Sequence, residues 1–138
     1  AIFGVATALA SAAASSQSGL DAAADRQRQL IDSIEREVSR GGAYSEELIA
    51  PLSELALLYQ EAADRALASA TIERALQVLR ANYGLYSFAQ APLISRLVAN
   101  EEAAGNHETA LEVEDEVLTL ARLQGVGAPT RAFADEPI

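Results

Sequence analysis

The 138-residue chain has no cysteine, methionine, tryptophan or lysine, and its ten cations are all arginine. Without cysteine there are no disulfides, no thiolate metal sites and no cysteine nucleophile, and the redox compartment stays open. A positive excess is also missing: the formal charge is −10. Nucleic-acid binding needs a basic face for phosphates, so that class is excluded, as is electrostatic adsorption to anionic lipid. Aromatic residues make up 5%, with 8 glycines and 4 prolines gathered in a few places. Half of the residues are hydrophobic, much of this alanine. Such a chain fills a core only where backbones approach closely, as helix-on-helix packing allows, and alanine is the best helix former. The expectation is an all-α fold.

Catalytic signals are equally scarce. His107 is the single histidine, which rules out a serine triad. No serine sits in a glycine-flanked nucleophile elbow, and no glycine loop suits a phosphate. The carboxylate pairs Glu46/Glu47 and Glu101/Glu102 are sequence neighbours, which point about 100° apart on a helix and do not converge. His107 lies near Glu108 and Glu112 but falls in an inter-helix turn, so no metal or cofactor is expected. The run Glu112 to Glu116 reads as a solvated helix face. Like charges at Glu108, Glu112 and Glu116 mildly oppose the helix, which favours a basic partner there. The chain is not expected to be an enzyme.

What is present is helical periodicity from residue 18 onward. Ser18 and Asp21 predict a first helix start, Leu30, Ile31, Ile34 and Val38 its apolar stripe, and Arg40-Gly41-Gly42 its stop. Ser45 predicts a second N-cap, followed by Leu48, Ile49, Leu52, Leu55, Ala56 and Tyr59. Pro51 marks either a later start or a kinked first turn. Asp64 predicts the cap of a third helix with Leu67, Ala68, Ile72, Ala75, Leu76 and Leu79 on one side, ended by Tyr83-Gly84. Ser87 and Gln90 predict a capping box for a fourth helix carrying Leu93, Ile94, Leu97 and Val98. Gly105 stops it, and Asn106 caps a fifth with Ala110, Leu111, Val113, Val117, Leu118 and Ala121. Residues 125–138 form an acidic C-terminal tail.

A shift of 42 residues superposes Gly42 on Gly84, Tyr44 on Tyr86, Ser45 on Ser87, Leu55 on Leu97, Ala68 on Ala110 and Leu76 on Leu118. Leu55-Ala56, Tyr59, Ala68, Ile72 and Ala75-Leu76 carry the spacing of small and large residues at a tight crossing of two helices. In this the chain resembles the tetratricopeptide repeat family, and its long period resembles the kinesin-light-chain type. The resemblance covers about residues 43–124, with repeats at 43–84 and 85–124 and a degenerate half-repeat at 18–42. It implies antiparallel helix pairs stacked as a short solenoid. Glu101 replaces Tyr59, Glu114 replaces Ile72 and Val117 replaces Ala75, which predicts a looser second unit or an end unit with a solvent face.

The resemblance also implies a function: binding a peptide or protein in the groove lined by the first helix of each pair. That groove would present Ser53, Leu57, Gln60 and Glu61, then Ser95, Ala99, Glu102 and Ala103. The basic and asparagine residues that clamp a peptide carboxylate in some members are missing at these positions. The expected function is therefore a non-catalytic interaction or scaffold module whose partner is a protein. Two units and one helix are fewer than the roughly three repeats that stand alone. The alternative is a self-assembling structural subunit, a ring or head-to-tail filament, and a homo-oligomer is expected.

Residues 1–17 are apolar and rich in small side chains, with no charge before Asp21. They resemble the apolar stretch of a signal peptide, which suggests an exported bacterial protein. Fourteen residues fall short of the about 20 that span a bilayer, so membrane contact is possible only through residues 1–14. Ile2, Phe3, Gly4, Val5, Ala8, Leu9 and Ala12 are expected to form a packing segment against the repeats or a neighbouring subunit.

Overall fold

A computed structural model describes the backbone of residues 3–125 and the side chains from residue 17. Ile2 and residues 126–138 of the tail lie outside the described residues. For Phe3, Gly4, Val5, Ala8, Leu9 and Ala12 the description stops at a helical backbone, so the packing segment lies outside the described side chains. Five α-helices make up the described residues: α1 (Phe3–Gly41), α2 (Ile49–Glu61), α3 (Arg65–Tyr83), α4 (Ala91–Ala104) and α5 (His107–Leu123). Short 3-10 turns at Glu46–Leu48 and Phe88–Gln90 lead into α2 and α4. Among the described residues there is no strand. Each helix packs against its sequence neighbours, most extensively α2 with α3 and α4 with α5.

The first expected boundary does not exist as a break. Helix α1 runs for 39 residues, about 58 Å at the usual rise, straight through Ser18. Alanine and its strong helix propensity carry the backbone past a serine that has no reason to act as a cap. The stop is where it was expected: Gly41 is the last helical residue and Gly42 takes φ +89°. Gly41 has a second role. A Cβ there would meet Glu37 Oε1 at 2.7 Å and Ser45 Oγ at 3.0 Å, so its bare backbone lets the turn close. Ser45 Oγ donates to Glu37 Oε1 at 2.6 Å. The hydroxyl is thereby spent on α1, and Ser45 makes no side-chain cap. Pro51 sits in the third position of α2, where a missing N–H costs nothing because that donor has no intrahelical partner. The later-start reading of Pro51 is the one that holds.

Asp64 caps α3 as expected, accepting from the Leu67 N–H at 3.4 Å. The Ser87–Gln90 box does not form. Ser87 Oγ accepts from Ala89 N at 3.2 Å, while Gln90 is buried. Gln90 Nε2 donates to the carbonyls of Leu85 and Ser87 at 2.8 and 3.0 Å, and its Oε1 accepts from Arg80 Nε at 2.6 Å. Asn106 precedes α5 but makes no cap bond; its amide donates to Glu101 Oε2 at 2.8 Å.

The core runs through all five helices: Leu30 and Ile34 of α1, Leu52, Leu55 and Ala56 of α2, Ile72, Ala75, Leu76, Val78 and Leu79 of α3, Leu93, Ile94 and Leu97 of α4, and Leu120 of α5, joined by Leu48. Each fully buried leucine or isoleucine contributes about 1.5–3 kcal/mol. Four residues expected on inner faces are exposed instead: Ile31, Leu67, Leu111 and Leu118. Ile31 and Leu67 are adjacent in sequence to the buried positions Leu30 and Ala68, about 100° away on the helix.

Candidate functional site

Elements recur one 42-residue period apart. The 3-10 turn at Glu46–Leu48 returns at Phe88–Gln90, the start of α2 at Ile49 returns at Ala91, and the start of α3 at Arg65 returns at His107. The turn chemistry recurs too. Asn82 Nδ2 donates to the Tyr44 carbonyl at 2.8 Å, and Gln124 Nε2 donates to the Tyr86 carbonyl at 2.9 Å. At the end of α2, Asp64 N bonds to Tyr59 O at 2.9 Å; at the end of α4, Asn106 N bonds to Glu101 O at 2.9 Å. Between them sits a left-handed residue, Ala63 at φ 57° in the first case and Gly105 at φ 84° in the second. The two helix pairs are thus closed by similar turns one period apart.

The eight groove positions fall in two stripes, one on α2 and one on α4. Arg96 ties the helices together: its Nη2 donates to Ser53 O at 3.0 Å, and Gln60 Nε2 donates to Arg96 O at 3.3 Å. Gln60 and Ser53 are half-buried and committed to this seam, and Ser53 Oγ donates to Ile49 O at 2.7 Å. Leu57, Glu61, Ser95, Ala99, Glu102 and Ala103 are exposed. The open surface is thus a shallow face of small and acidic residues around one leucine.

Polar residues organise the neighbouring α3–α4 contact. Asn100 Nδ2 donates to Arg65 O at 2.9 Å and to Ser69 Oγ at 2.7 Å, and Arg65 Nη1 reaches Asn100 Oδ1 at 3.4 Å. Ser69 Oγ in turn donates to Glu101 Oε1. Glu101 is buried, which corrects the expected solvent face at that position: Ser69 and Asn106 satisfy its carboxyl. Among the described residues every buried side-chain polar atom has a partner. Glu114, by contrast, is exposed.

On the other side, a cleft of about 500 Å³ opens between α1 and α2, lined by Arg26, Ser33, Arg36, Arg40 and Pro51 among others. Its cations are largely spoken for. Arg26 grips Glu54 with two 2.8 Å bonds, and Arg40 pairs with Glu37 and Glu47. The Ser45 hydroxyl, assisted by Arg40, holds the Glu37 carboxyl below its ordinary value, and Glu37 and Glu47 raise Arg40. His107 Nδ1 lies 2.8 Å from Glu102 Oε2, both exposed. Among the described residues no group of three or more histidine, aspartate or glutamate side chains could hold a metal ion, and no helix is long and apolar enough to cross a membrane. The chain matches no protein-family model and no curated protein.

Proposed function

We propose that this chain is a non-catalytic protein-interaction module: a short solenoid of helix pairs of the tetratricopeptide type, binding a protein segment along the exposed face of α2 and α4. The observation that carries the reading is the recurrence of turn chemistry. The Asn82–Tyr44 and Gln124–Tyr86 hydrogen bonds lie one period apart, which supports a repeated helix pair. A face built from equivalent stripes suits an extended or helical segment, and Leu57 among small neighbours offers it an apolar foothold.

Ala99→Arg and Leu57→Arg place a large cation on this face without touching the core. Either variant should abolish co-purification of the cellular partner while leaving the melting temperature unchanged. Retention of that partner by both variants would refute the groove.

A further inference from the structure

The outer face of α5, the last described helix, is the second surface with a readable occupant. Inside the molecule α4 and the 3-10 turn before it pack along a line on α3: Arg65 and Ser69 bond to Asn100 and Glu101, the exposed Glu73 and buried Leu76 share a small cleft with Leu97, and Arg80 bonds to Gln90. One period on, the same line reads His107, Leu111, Asp115, Leu118 and Arg122, and all five are exposed. Leu76 is 3% exposed beneath α4, whereas Leu118 is 49% exposed and Leu111 65%. Leu111, Asp115, Leu118 and Arg122 recur at helical spacing on one face, so α5 presents an exposed helix seat with two leucines around a carboxylate. Glu108, Glu112 and Glu114 are exposed around it.

We propose that this seat docks one amphipathic helix of a different protein, antiparallel to α5, with lysine or arginine between two apolar residues four positions to either side. The apolar pair would cover Leu111 and Leu118, and the cation would answer Glu114 and Asp115. Among the described helices, a second copy of this chain does not supply it. Among the described helices the spacing occurs at Ala22–Arg26–Leu30 and Ala70–Arg74–Val78, and both Leu30 and Val78 are buried in the chain's own core. The segment before Asp21 has no cation at all. The proposal rests on the repeat reading, because the seat is located by the one-period shift.

The probe is a helix-stapled peptide of residues 87–104, the helix that fills the equivalent seat on α3, rewritten with Leu97→Lys and Glu101→Leu. A control peptide carries Leu97→Glu instead. In fluorescence anisotropy with the full chain, the lysine peptide should bind one to one and weaken as salt is raised, and the glutamate peptide should not bind. Leu118→Asp should lower the affinity at least about tenfold, and Leu118→Ala should lower it less. Leu118 is half exposed, so both variants should keep the parent's circular dichroism spectrum. Equal binding of the two peptides, binding by neither, or indifference to Leu118→Asp would overturn the proposal. So would concentration-dependent self-association of the full chain that Leu118→Asp abolishes, since the occupant would then be a second copy. Failure here with partner loss in the Ala99→Arg variant would remove the seat and leave the groove reading standing.

Discussion

Leu76 and Leu118 offer one substitution at two positions a period apart. Leu76 is 3% exposed within the α2–α3–α4 core, and Leu118 is 49% exposed on α5. Leu76→Ala removes buried methyl groups and leaves a cavity, which costs about 2–5 kcal/mol. Leu118→Ala removes a side chain half of which already meets water and opens no cavity. With about 1.5–3 kcal/mol for full burial of a leucine, its loss should be about 1 kcal/mol. Helix propensity changes identically in both variants and cancels from the comparison. Urea unfolding followed by helical circular dichroism gives both values, provided that the slope matches the parent's. Equal losses would refute the reasoning, because they would mean that α5 is covered to the same degree as α3.

The turns give a further pair. Gly105→Ala places a Cβ on a left-handed residue and should cost about 1–2 kcal/mol, whereas Ala63→Gly relieves that strain and should stabilise by up to about 1 kcal/mol by calorimetry. Asn100→Ala deletes two buried donor contacts and leaves Ser69 and Glu101 less well satisfied, for about 1–3 kcal/mol in the same unfolding assay. Glu37 has a folded pKa below the ordinary 4.5, so its contribution is present above that value and is lost as the pH falls through the lower folded value. Glu37→Gln should therefore destabilise at neutral pH and approach the parent's stability in acid; a pH-independent gap would contradict the Ser45–Arg40 origin of the shift.

Helix identity was legible because small and large residues alternate at 3.6-residue spacing and because glycines close the turns. Ala68, Ile72, Ala75 and Leu76 could be named as core from spacing alone. The caps were less legible. Ser45, Gln90 and Asn106 have the right side chains for caps, but each bonds back to the helix before its turn: Glu37, Arg80 or Glu101. A capping pattern reads only the helix that follows, not the end of the helix before it. The same holds for Glu101, whose charge argues for solvent, while Ser69 and Asn106 provide for it in the interior. The start of α1 was misplaced because Ser18 resembles a cap only if the preceding alanines are ignored as helix. The eight groove positions came from the family resemblance; six of them are exposed, and the commitment of Ser53 and Gln60 to Arg96 had no signal in the sequence.

Photo-crosslinking tests the central claim, that the α2–α4 face binds a protein segment, most directly. A photoreactive residue at Ala99 on that face is compared with one at Ala70, exposed on α3, in the cells that make the protein. The account predicts a discrete adduct from Ala99, lost when Leu57→Arg is added, and none from Ala70. Adducts of equal yield from both positions, or none from Ala99, would contradict it.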